Sequence, residues 1–169
     1  HNYIHGFPLF GTSIALEYKK RIILGVITMP LLNQFFVAEK GKGAFLNGKR
    51  IKVSNIRRLE ESLMVMDSAL HRHIQLKLNF LKKASKKIFR IRLSGCAVFE
   101  LTSLASGNAD EYVMFQTTPW DAAAGFLMVE EAGGMITDFS GKPVDHYTRR
   151  FAASNARVHS EVLRMLTKI

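Results

Sequence analysis

Thr117-Thr118-Pro119-Trp120-Asp121-Ala122-Ala123-Ala124-Gly125 reads as the opening of a helix. Thr118 suits the N-cap, Pro119 the first helical position, and Asp121 completes an acidic variant of the capping box three residues later. A carboxylate there also favours the positive end of the helix dipole. The same carboxylate can instead hold a divalent cation, a hard ion that takes oxygen ligands. On these residues alone both roles stay open. The helix is expected over 120–132, closed by Gly133-Gly134.

Outward from this helix, strands and helices alternate. Strands are expected at 88–93, 111–115, 135–137 and 151–153, with helices at 96–105 and 160–166. Such alternation points to an α/β layer with a largely parallel or mixed sheet. A second strand-to-helix junction lies at Arg92-Leu93-Ser94-Gly95-Cys96-Ala97. Free N–H groups at a helix start favour phosphate or hydroxyl oxygens, and Gly95 lets a ligand approach the backbone. A compact turn capped by Ser94 explains the same residues. Cys96 has no histidine placed to activate it, so it reads as a small packing residue.

Upstream, 13–16, 22–29 and 34–38 are apolar, β-prone runs, and Asn47-Gly48 between apolar flanks signals a hairpin. With a further strand at 63–66, this part reads as an antiparallel sheet followed by a helix. Between Asp67 and Glu100 there is no acid, while Arg72, Lys77, Lys82, Lys83, Lys86, Lys87, Arg90 and Arg92 fall in that stretch. Ile74, Leu78, Leu81 and Ile88 recur at helical spacing, which predicts an amphipathic helix with a basic, solvated outer face. The expected organisation is two packed parts, 1–87 and 88–169.

Composition sets bounds. Hydrophobic residues are 47% and charged residues 22% of the 169, a globular balance that excludes a disordered chain. The formal charge of +10 attracts anions, but no recognition motif accompanies it, so no nucleic-acid partner is expected. One cysteine excludes an internal disulfide framework and fits a reducing cytoplasm. No apolar run approaches the ~20 residues of a membrane span, and His1 to Gly6 is not a signal peptide, so no membrane partner is expected.

Several motifs together carry more than any one. They are Asn2-Tyr3-Ile4-His5-Gly6-Phe7-Pro8, Gly41-Lys42-Gly43-Ala44-Phe45-Leu46-Asn47-Gly48, Gly95-Cys96-Ala97, Ala105-Ser106-Gly107-Asn108-Ala109-Asp110, Pro119-Trp120-Asp121-Ala122-Ala123-Ala124-Gly125 and Glu131-Ala132-Gly133-Gly134. In this order they resemble the inositol monophosphatase family of Mg-dependent sugar-phosphate phosphatases. The resemblance implies an α+β or α/β fold layered as an α-β-α-β-α sandwich, and a cytoplasmic, dimeric enzyme. It implies that Asp121 is a catalytic metal ligand that also faces the substrate, and that Gly95, Cys96 and Ala97 contact substrate hydroxyls. Two or three Mg²⁺ ions would activate water for in-line attack on the phosphate of inositol monophosphate or a related sugar phosphate.

Two departures qualify that expectation. In the family, the signature Asp-x-x-Asp-Gly-Thr ends just before the residue matching His1, and a metal-binding Glu lies further upstream. Asp121 alone cannot hold two Mg²⁺ ions, so these 169 residues by themselves are expected to be inactive. A non-catalytic binding or dimerising remnant is the alternative. The second departure is Met114, seven residues before Asp121, where inositol-selective members carry a Glu. A thioether is a poor acceptor, and Glu111 is the nearest acid. The change favours a different polyol phosphate, such as fructose 1,6-bisphosphate.

Overall fold

The computed structural model describes residues 1–166; residues 167–169, the last of the expected second part, lie outside the described residues. The strands β1 (Thr12–Tyr18), β2 (Arg21–Met29), β3 (Gln34–Glu39), β4 (Gly43–Leu46) and β5 (Lys49–Arg50) form an antiparallel meander in chain order. Period-two burial shows on β2, where Gly25, Ile27 and Met29 face inward. The expected hairpin joins β4 to β5. Asn47 and Gly48 both take positive φ, 48° and 77°, as a primed two-residue turn requires. The Asn47 side chain adds to the turn by accepting the Phe35 N–H and donating to the Asn33 carbonyl, each at 2.9 Å.

A second, mixed sheet contains β6 (Leu63–Met66), β7 (Arg90–Arg92), β8 (Glu111–Met114), β9 (Met135–Thr137) and β10 (Phe151–Ser154) in the order β7-β6-β8-β10-β9. Here β6 runs parallel to both β7 and β8, while β10 is antiparallel to β8 and β9. The strand at 63–66 was expected beside the antiparallel meander, and it instead lies inside the second sheet. Met64, Val65 and Met66 are all buried, so both faces of β6 are covered, as a parallel strand needs. Such a strand carries no period-two signal to tell which sheet it joins.

Among the described residues four helices complete the layers: α1 (Ile74–Ala84), α2 (Ala97–Ala105), α3 (Pro119–Glu131) and α4 (His159–Leu166). One core packs α2 and α3 between the two sheets, with Phe36 and Ile27 on one side and Tyr112 and Phe151 on the other. A second core packs α1 and α4 on the far face of the second sheet through Phe80, Val113 and Val162. The described residues thus stack as sheet, helices, sheet, helices, the order of a layered α/β sandwich. On the outer face of the first sheet Ile14, Leu16 and Tyr18 are exposed.

The basic helix differs from its expected form. Ile74 and Leu78 are exposed, and the buried stripe of α1 is Lys77, Phe80 and Ala84. Lys77, expected on a solvated outer face, is fully buried. Its ammonium lies 2.7 Å from Asp67 Oδ2, donates to the Ala69 carbonyl at 2.6 Å, and sits 5.7 Å from the Phe115 ring centroid. A buried charge needs such a partner, and Asp67 supplies it. The helix ends at Ala84, and Ile88 reaches the second core from the loop beyond.

The small residues of α3 have a packing cause. A Cβ on Gly25 would come within 2.9 Å of the Ala124 carbonyl oxygen, so β2 and α3 touch through their backbones. A Cβ on Gly125 would stand 2.4 Å from Leu101 Cδ1 and 2.7 Å from Leu101 Cβ. Gly125→Val should therefore destabilise the fold by about 1–3 kcal/mol, the cost of overpacking a filled core. Urea unfolding measures it, and an unchanged midpoint would show that α2 can move aside.

Candidate active site

The carboxyl ends of β6 and β8, the starts of α2 and α3, and the loop 1–11 enclose a cavity of about 480 Å³. Gly95, Cys96, Ala97 and Asp121, the four residues expected at a site, all line it. Met114 lines it too, whereas Glu111 does not; its side chain is fully buried elsewhere. Asn2 ties the loop to the α2 junction by donating to the Leu9 carbonyl at 2.8 Å and the Ser94 carbonyl at 3.0 Å. Gly95 has φ of 71°, and a Cβ there would meet Ser68 Oγ at 3.2 Å. Two helix amino ends thus open on one cavity, each with N–H groups not used inside the helix.

Capping differs from expectation at both helices. The Thr118 hydroxyl does not reach the backbone; it donates to Asp121 Oδ2 at 2.6 Å, while the Asp121 N–H bonds the Thr118 carbonyl at 3.1 Å. Asp121 is therefore oriented by the cap residue instead of closing a capping box. At α2 the N-cap is Cys96. Ser94, expected as cap, donates to Glu100 Oε1 at 2.8 Å and accepts the Cys96 N–H at 3.3 Å. Burial pushes the Cys96 thiol up, which keeps it a neutral packing group.

The lining also contains residues not expected at the site, among them Asp67, Ser68 and Glu100. Glu100 is buried, and desolvation raises its carboxyl to about 7 against the opposing bonds from Tyr112 and Ser94. Asp67 follows the last residue of β6, and its place at the end of an apolar run was the available signal. A second cavity of about 440 Å³, lined by Phe36, Leu63, Val65, Leu93 and Phe99 among others, holds no acid, imidazole or thiol. It lacks the groups for hydrolysis.

Asp121 offers one carboxylate to a cation. Among the described residues no three His, Cys, Asp or Glu groups converge to hold a metal ion. The donors present do not complete a Mg²⁺ site, which takes about six oxygens including more than one carboxylate or phosphate group. No helix of the described residues is long and apolar enough to cross a membrane.

Comparison with known proteins agrees with this fold. The chain is 38% identical over 168 residues to a Thermotoga maritima protein named fructose-1,6-bisphosphatase/inositol-1-monophosphatase, covering 99% of the chain and 64% of that protein. It is 35% identical over 169 residues to the Dictyostelium discoideum inositol monophosphatase, covering 98% of the chain and 62% of the relative. The crystal structure of extragenic suppressor protein SuhB from Bartonella henselae superposes with a TM-score of 0.95 at 36% identity, covering 99% of this chain and 65% of that one. The chain thus spans a little under two thirds of the curated relatives it matches, 64% and 62%. The model of the inositol monophosphatase family matches residues 1–168, and the chain belongs to that family.

Proposed function

We propose that this chain carries the substrate-facing part of a metal-dependent phosphomonoesterase acting on inositol monophosphate or a related sugar phosphate. The observation that carries the reading is the single cavity in which Asp121 meets the Gly95-Cys96-Ala97 helix start. The two helix amino ends favour a phosphate oxygen there. The Thr118 hydroxyl orients Asp121, and Met114 offers an apolar surface to a carbon ring. Mg²⁺ is the proposed metal, with Asp121 as one ligand. Since the described donors do not complete its site, the 169 residues alone are proposed to be inactive.

A second reading is fructose 1,6-bisphosphate as substrate, favoured by the thioether of Met114 in the cavity wall. A cytoplasmic homodimer without nucleic-acid or membrane partners completes the proposal, in line with the single cysteine and the family resemblance. The test is Mg²⁺-dependent phosphate release by this chain and by one extended upstream. Release is expected from the longer chain only. Asp121→Asn in it should cost about 10²-fold or more, the scale of losing one electrostatic stabiliser of a transition state. Undiminished turnover by the Asn variant would remove Asp121 from the mechanism.

A further inference from the structure

We infer that Asp67 determines what the cavity accepts at the wall formed by the end of β6: its carboxylate takes a hydrogen bond from a ligand hydroxyl, so this wall fits a polyol monophosphate and disfavours a second phosphate. The inference rests on the phosphate-ester reading and sharpens it.

Asp67 stands where α/β sheets bind ligands, beyond the carboxyl end of a strand. Its N–H donates to the Val113 carbonyl at 3.1 Å, which sets it beside Met114 across the ladder, and both residues line the cavity. The neighbouring thioether is a weak acceptor, so the carboxylate is the strong acceptor of this pair. A carboxylate has about four lone-pair sites. Oδ2 is closed to solvent and faces Lys77 at 2.7 Å, while Oδ1 accepts the Ala69 N–H at 2.8 Å and keeps acceptor capacity for a ligand hydroxyl. Lys77 fixes the carboxylate's orientation from behind, through a contact closed to solvent.

Stability does not account for the pair. Apolar residues of similar volume generally serve a buried site as well or better. Placement on a cavity wall gives it a binding use. Electrostatics sets the sign of that use. Despite the +10 of the whole chain, the described cavity lining holds Asp67, Glu100 and Asp121 and neither lysine nor arginine. A second phosphate against Asp67 would meet like charge, whereas a hydroxyl donates to it.

The experiment is calorimetric binding of inositol 1-phosphate, cyclohexyl phosphate and fructose 1,6-bisphosphate to the 169-residue chain with Mg²⁺ present. Cyclohexyl phosphate keeps the ring and the phosphate but lacks the other hydroxyls. The chain should prefer inositol 1-phosphate over it by about tenfold or more, the scale of a hydrogen bond to a charged group. Fructose 1,6-bisphosphate should bind more weakly than inositol 1-phosphate. The double variant Asp67→Leu/Lys77→Met removes the acceptor without stranding a charge, and its folding is checked by thermal melting. In it the preference should vanish while cyclohexyl phosphate binds as before. An unchanged preference, equal weakening of both esters, or tighter binding of the bisphosphate overturns the inference alone, provided that Asp121→Asn still alters binding. Binding of neither ester, or binding that Asp121→Asn leaves unmoved, overturns the phosphate-ester reading and this inference with it.

Discussion

Lys77→Met should lower the unfolding free energy by about 3–5 kcal/mol, because it strands the buried Asp67 carboxylate without its cation. The methionine keeps most of the lysine's volume, so the loss reports charge and not a cavity. Lys77 is 0% exposed and Asp67 Oδ2, the oxygen that it faces, is closed to solvent, so water cannot take the place of the ammonium there. A domain of this size has about 5–15 kcal/mol in all, and the variant should sit near its unfolding threshold. Adding Asp67→Leu should recover most of the loss, since an apolar pair strands no charge and frees only the Ala69 N–H and carbonyl. Urea unfolding of the wild type and both variants checks this. A single-variant loss below about 1 kcal/mol would match an exposed ion pair and contradict the burial.

The same lysine shows where reading the residues alone stopped. Its neighbours in an acid-free stretch of eight cations all argued for a solvated face, and charge density along the chain carries no sign of a distant partner. Asp67 is the last acid before that stretch, ten positions upstream on a different element, so only the packing of α1 against the second sheet brings the two together. Local chemistry was legible where one segment decides its own shape. Asn47-Gly48 makes its turn, Gly107 and Gly133 take the left-handed conformation after α2 and α3, and Pro119 starts α3. Motif order pointed to Asp121 and Gly95-Cys96-Ala97, which the fold brings to one cavity. The Leu63–Met66 strand was legible as a strand but not as a member of the second sheet, because partner choice depends on strands many residues away. Glu100 was hidden for the same reason as Lys77: a polar residue buried in a helix looks like a surface residue until its partners are placed.

Glu111 gives the fold a pH dependence of predictable sign. It is fully buried on β8, and neither carboxylate oxygen has a hydrogen-bond partner among the described residues. The nearby Ser62 hydroxyl donates to the Leu59 carbonyl instead. Burial above all, opposed by the nearby Ser62 hydroxyl and helped by the charges of Asp110 and Glu161, raises this carboxyl from 4.5 to about 8. The folded state therefore keeps its proton through a range in which the unfolded chain has lost it. The resulting stability is fully present below about 4.5 and is lost as pH rises to about 8, after which the contribution is flat. The slope approaches roughly 1.4 kcal/mol per pH unit for one proton. Glu100 acts in the same sense up to about 7, so the interval from about 7 to about 8 belongs chiefly to Glu111. His159 acts oppositely, since burial lowers its pKa below 6.5, but that effect is complete at the alkaline end. Glu111→Gln keeps the shape and removes the titration. Its urea midpoint should stay nearly constant between pH 7 and 8 while the wild-type midpoint falls. Parallel falls in the two proteins would place the alkaline loss on another group and leave the Glu111 carboxyl titrating near its ordinary value.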